Sequence, residues 1–173
     1  KKRTAFIGAI LSLVPLGHPL LIKTCVVLSS TGLIALPEKV YARDNSYYFN
    51  RAYDKAERGD YYGAIYDYTK AIEIDPNDVD AYINRGISKR KLKDYYGAIS
   101  DYTKAIEINP NYENAYINRG ISKRQLKDFY GAISDYNKAL EIDPTDKDSY
   151  INRSISKEKI GDIKGACFDA KKA

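Results

Sequence analysis

The sequence has no tryptophan, no methionine, a single histidine and two cysteines. The histidine, His18, sits in an apolar leader, so residues 43–173 lack the commonest acid–base side chain and the commonest metal ligand. Of the cysteines, Cys25 is in the leader and Cys167 is in the remainder. No disulfide can therefore close within residues 43–173, and no cysteine pair has zinc spacing. Cys167 is expected to be a small buried helix residue. A glycine-rich phosphate loop is also missing. These absences argue against an enzyme, a metal site and a bound cofactor. Carboxylates are abundant, but Asp67, Asp101 and Asp135 recur at a fixed interval, which marks them as scaffold. Asp75, Asn109 and Asp143 fall where turns are expected.

An excess of acidic residues is missing as well. The net charge is +5, from 28 basic and 23 acidic residues. Lys1, Lys2, Arg3, Lys23 and Lys39 against Glu38 give residues 1–42 a charge of +4. The rest carries 23 basic and 22 acidic residues, or +1. The basic balance thus belongs to the leader, and charge gives no ground for a nucleic-acid partner.

The leader has its own pattern. After Lys1-Lys2-Arg3, an apolar stretch from Ala5 to Ile22 is interrupted by Pro15, Gly17, His18 and Pro19. A second run from Cys25 to Leu36 has the length of a signal-peptide core. Val40 and Ala42 suit the positions three and one before a signal-peptidase cut. The expectation is an export signal over 1–42, cut after Ala42, which places the rest in the periplasm or outside the cell. The alternative is an uncleaved anchor, with the membrane touched only through this segment. The prolines weaken that alternative. A lysine at position 23 argues against lipid attachment at Cys25.

Beyond the leader the chain repeats. Ala81-Tyr82-Ile83-Asn84-Arg85-Gly86 returns as Ala115-Tyr116-Ile117-Asn118-Arg119-Gly120, 34 residues later. The same step relates Tyr48, Tyr82, Tyr116 and Tyr150, and also Pro76, Pro110 and Pro144. Residues 79–112 and 113–146 agree at 25 of 34 positions. Within one unit, Tyr82, Ile83, Gly86, Ile87 and Leu92 recur at helical spacing, as do Tyr95, Ala98, Ile99, Tyr102, Ala105 and Ile106. Asp94 is placed to cap the second helix, and Asn109-Pro110 to end it. Gly86 is expected where the two helices cross, opposite Ala98. One hairpin cannot bury both stripes alone, whereas stacked neighbours can.

This pattern resembles the tetratricopeptide repeat. The family places a large residue at position 4, Gly at 8, Ala at 20, an aromatic at 24, Ala at 27 and Pro at 32. Tyr82, Gly86, Ala98, Tyr102, Ala105 and Pro110 match, as do Tyr116, Gly120, Ala132, Tyr136, Ala139 and Pro144. The first unit has Tyr48, Ala52, Ala64, Tyr68, Ala71 and Pro76; the fourth has Ser154 for Gly and Ala170 for the aromatic. The resemblance implies an all-α, right-handed superhelical solenoid of helix-turn-helix repeats over 45–78, 79–112, 113–146 and a partial fourth, 147–173. The last repeat is similar to those of exported bacterial members, cyanobacterial ones included, in which the chain runs on past this point. Continuation beyond Ala173 is therefore expected. Position 7 is Arg in every unit and position 11 is Lys, and their charges are expected to reach water over apolar stems.

The family's first helices line a concave groove, which implies a protein or peptide ligand. Position 6, in that groove, is always amide: Asn50, Asn84, Asn118 and Asn152. Such a row resembles the asparagine ladder of the O-linked N-acetylglucosaminyltransferase superhelix, which suits an extended backbone of any sequence. Ile83, Ile87, Ile117 and Ile121 are expected beside it, and Arg90 and Arg124 along a basic rim. The Lys and Asn with which chaperone-binding members clamp a terminal carboxylate are absent. The competing readings are self-association through an uncapped end as a structural element of the cell envelope, and RNA binding by stacked Tyr and Arg, which the near-neutral repeat region opposes.

Overall fold

The computed structural model describes residues 44–173. The export-signal and anchor readings concern residues 1–42 and lie outside the described residues. The described residues form eight helices: α1 Asn45–Glu57, α2 Tyr61–Ile74, α3 Val79–Lys91, α4 Tyr95–Ile108, α5 Glu113–Gln125, α6 Phe129–Ile142, α7 Lys147–Lys159 and α8 Ile163–Ala170. No strand occurs among the described residues, and none of these helices is long and apolar enough to cross a membrane. Each odd-numbered helix packs on the next to make a hairpin, and each hairpin packs on the following one. The result is a solenoid of four helical hairpins.

Local chemistry fixes where the helices start and stop. Asp60, Asp94, Asp128 and Asp162 accept the backbone N–H of Gly63, Gly97, Gly131 and Gly165, each at 2.9 Å. Asp78 caps α3 through Ala81 at 2.9 Å, and Asp146 caps α7 through Ser149 at 2.8 Å. Each such cap stabilises by about 1 kcal/mol. Helix α5 departs from this rule: Tyr112 occupies its cap without a side-chain bond, and its hydroxyl instead donates to Asp80 at 2.5 Å. Asp75, Asn109 and Asp143 end α2, α4 and α6 in extended geometry, as the prolines after them require. The turn inside each hairpin needs a left-handed residue. Gly59 and Gly161 supply it at φ 81° and 84°, but Lys93 and Lys127 hold the same place at φ 64°.

The core is made of small residues and tyrosine rings. Ala64, Ala71, Ala98, Ala105, Ala132 and Ala139 are fully buried, and so are the rings of Tyr102 and Tyr136. Gly86 faces the Tyr102 ring: a Cβ there would sit 2.6 Å from Tyr102 Cε1. Gly120 meets Tyr136 in the same way, at 2.7 Å. The pairing is a preference and not a rule: the first unit packs Ala52 and Tyr68 into one core cluster, and the fourth has Ser154 and Ala170 at these positions.

The recurring charges at positions 7 and 11 do not simply reach water as expected: part-buried, they turn to buried carboxylates. Arg85 donates from Nε and Nη2 to Asp101, at 3.0 and 2.7 Å, and Lys89 joins the same carboxylate at 2.8 Å. Arg119 and Lys123 hold Asp135, and Arg153 and Lys157 hold Asp169, at 2.6–3.1 Å. Arg51 and Lys55 hold Asp67. All four carboxylates are buried. Packing around the alkyl stems takes the charged ends inside, where a carboxylate accepting from both cations satisfies them. Burial alone would raise the Asp67 carboxyl; the hydrogen bonds and charges of Arg51 and Lys55 outweigh it and hold it below the ordinary carboxylate range. Asp169 behaves alike between Arg153 and Lys157. The third guanidinium nitrogen crosses to the previous hairpin: Arg85 and Arg119 donate to Thr69 and Thr103 at 3.1 Å, and Arg153 to Asn137 at 2.8 Å.

Cys167 is exposed on α8, contrary to the buried place expected for it. The short helix has one inward stripe, and Ala166 and Asp169 occupy it.

Candidate functional site

Consecutive first helices touch: α1 with α3, α3 with α5, α5 with α7. Consecutive second helices do not touch. Within residues 44–173 the first helices therefore crowd the inner side and the second helices splay outward. The inner face carries the candidate site.

The asparagine row lies on these first helices. Asn84, Asn118 and Asn152 are half-buried, and each donates from Nδ2 to the carbonyl four residues back, on Asp80, Asn114 and Asp148, at 2.8 Å. That bond fixes the amide's orientation. It leaves Asn84 and Asn118 with an oxygen and one N–H each for an outside partner. Asn152 differs, because its Oδ1 already accepts from Arg124 Nη2 at 3.3 Å. Asn50 is exposed.

The isoleucines divide. Ile83 is buried at 5% exposure, so it belongs to the core between hairpins and not to a groove surface. Ile87 packs against the same core and is half-buried. Ile117 and Ile121 are half-buried, and Ile151 is 45% exposed. Stacking of each hairpin on the next covers the residue at position 5 most where both neighbours are present.

Arg90 and Arg124 occupy the last turn of α3 and the last turn of α5. They are half-buried, and the Nε of each is buried without a hydrogen-bond partner. Beside them lie Tyr102 and Tyr136, whose buried hydroxyls face Arg90 and Arg124 without a well-aligned hydrogen bond. Burial pushes both phenols up to about 12, while the neighbouring guanidiniums pull the other way, Arg90 at Tyr102 and Arg124 at Tyr136. Arg90 also acts on Tyr136, so both charges converge there. The sequence reading missed these tyrosines, having assigned them wholly to the core. The available signal was the joint recurrence of Arg at position 12 and Tyr at position 24 in the two middle units alone.

The site offers hydrogen bonding, charge and apolar contact, but no acid–base pair. Among the described residues, no three His, Cys, Asp or Glu side chains converge to hold a metal ion.

Comparison with known proteins places this architecture. The tetratricopeptide repeat profile matches residues 79–112 and 113–146, and a second TPR repeat profile matches 52–89. Together they span more than half of the chain. The comparison with curated proteins returns no match. Among solved structures, the chain is similar to the crystal structure of MamA, with 22% identity, a TM-score of 0.72, and coverage of 75% of this chain and 76% of that one. It is also similar to the first TPR of Spaghetti (RPAP3) bound to an HSP90 peptide, at 25% identity and TM-score 0.67, covering 68% and 94%. A third is the Arabidopsis OM64 TPR domain, at 23% identity and TM-score 0.64, covering 66% and 94%.

Proposed function

The chain belongs to the tetratricopeptide repeat family, and from that premise we propose that it binds an extended peptide segment of another protein along the inner face of its first helices. A protein-interaction scaffold is what the family membership supports. The observation that carries the finer reading is the row of position-6 amides. Asn84 and Asn118 are oriented by their own helices and keep hydrogen-bonding capacity facing outward. A peptide backbone presents N–H and C=O groups that such a row can meet without regard to side chains. Ile87, Ile117 and Ile121 offer apolar contact beside it.

The relative solved with an HSP90 peptide suggests chaperone tails as ligands. This chain has Phe49 and Tyr53, Ile83 and Ile87, and Ile117 and Ile121 where clamp-type members place their carboxylate ligands, so its ligand is of another kind.

The test is a decapeptide library selected on the immobilised full chain, beside Asn84→Ala/Asn118→Ala. The expected result is a retained peptide pool whose affinity falls about tenfold in the double variant, or about 1.4 kcal/mol, with an unchanged helical signal. Equal binding to both proteins would sink the amide-row reading.

Self-association is the second reading. Ile163 and Phe168 of α8 are 56% and 57% exposed, an apolar surface that a second copy can cover. Sedimentation of a strict monomer at high concentration would refute it.

A further inference from the structure

We propose that Arg90 and Arg124 form a carboxylate subsite on the inner face, which takes an Asp or Glu side chain of the bound segment. The inference rests on the peptide-binding reading above and adds the chemistry of the ligand.

Six arginines lie on the first helices α1, α3, α5 and α7. Four of them, Arg51, Arg85, Arg119 and Arg153, are neutralised by buried aspartates. Arg90 and Arg124 have no acidic partner among the described residues. Nor does the fold require a positive charge at this register, because the first and fourth units place Ala56 and Glu158 there. The two charges stand one repeat apart on neighbouring helices that touch. Both are half-buried, each has a buried Nε without a partner, and the polar groups that face them inside are the buried hydroxyls of Tyr102 and Tyr136, which carry no charge. A partly desolvated guanidinium without a counter-ion is costly to hold, and an anion beside it removes that cost. The bond from Arg124 to Asn152 ties the pair to the asparagine row, so one extended segment can reach both.

A carboxylate is the anion that fits. A guanidinium fork receives it through two parallel bonds. Residues 43–173 carry a net charge of only +1, which supplies no wider basic field for a polyanion. The clamp positions used by chaperone-binding members lie on earlier turns of the helices, so this subsite is separate from them.

The test uses acetylated, amidated decapeptides on beads, with phosphoserine among the coded residues, so that every carboxylate is a side chain. The full chain is compared with Arg90→Gln/Arg124→Gln. The native protein is expected to enrich Asp or Glu at a fixed distance from apolar residues. The best peptide, remade with Asn or Gln at that position, should bind at least tenfold more weakly. The arginine variant should bind both versions equally. The peptide exchange on the native protein reads the subsite even if the variant misfolds. Retention of apolar peptides without acidic enrichment overturns the subsite and leaves the groove reading standing. Preference for phosphoserine over Asp and Glu overturns it in favour of a phosphopeptide site. Retention of no peptide overturns both readings.

Discussion

Replacing Asp101 with asparagine should be among the most damaging single-atom changes in this protein. The carboxylate is 3% exposed and receives Arg85 twice, at 3.0 and 2.7 Å, and Lys89 once, at 2.8 Å. An amide keeps one acceptor and turns its NH2 toward two cations. Breaking a buried pair from one side costs about 3–5 kcal/mol, because the other charge is left behind. Here the stranded side chains are 15% and 20% exposed and regain some water, which places the cost near the lower end, about 3 kcal/mol. For an array of this size that corresponds to a fall in Tm of about 10 °C. The comparison is Glu107→Gln. Its pair with Lys104 spans 3.1 Å with side chains 59% and 49% exposed, and losing it should cost less than about 0.5 kcal/mol. Thermal and urea unfolding of the full chain at pH 7, followed by far-UV circular dichroism, reads both. If the two variants lose equal stability, the buried aspartates are not what holds the hairpins together.

Three further predictions concern the backbone, the core and pH. Lys93→Gly should stabilise by about 0.5–1 kcal/mol, because φ 64° costs an L-residue about 1–2 kcal/mol while glycine adds only part of that to the unfolded chain's freedom; a lower urea midpoint would contradict it. Gly86→Ala should cost about 1 kcal/mol, because a methyl there must push back the Tyr102 ring into the arrangement that Ala52 and Tyr68 share in the first unit, whereas Ser154→Ala should be nearly neutral; equal midpoints for the two would refute the ring-on-glycine account. The carboxyls of Asp67 and Asp169 sit below their ordinary value when folded, so the stability they give is complete above the unfolded pKa of about 3.9 and lost as pH falls through the folded one. Unfolding free energy should therefore drop steeply below about pH 4, and Asp169→Asn should flatten that drop; an unchanged acid slope would exclude this carboxylate as its source.

The sequence made the scaffold readable because most of its determinants are local. An aspartate before each second helix, and a proline after the first three of them, act within a few residues of chain, and the 34-residue step repeats them. The partners of Arg85 and Lys89 were harder to read, because Asp101 is 16 and 12 positions away on another helix. The joint recurrence of all three residues in every unit was the signal, but recurrence alone does not distinguish a buried triad from a solvated stripe. Ile83 and Cys167 were misplaced for a related reason. Burial depends on the neighbouring hairpin in the first case, and on the rotation of a short terminal helix in the second. Tyr102 and Tyr136 show the remaining gap: pattern assigns the ring to the core, but it does not reveal that each buried hydroxyl faces an arginine with no acidic partner.

The arginine at position 7 has a consequence for how such arrays change length. Two of its nitrogens are committed to its own hairpin and the third to the hairpin before it, through Thr69, Thr103 or Asn137. Each seam is thus closed by a residue carried on the incoming unit and an acceptor carried on the outgoing one. A copying slip that inserts or deletes one whole unit brings a matching half with it and leaves no seam unpaired. A slip of any other size breaks a seam. Copy number can therefore drift in whole units, lengthening or shortening the inner face, without a second mutation to repair the join.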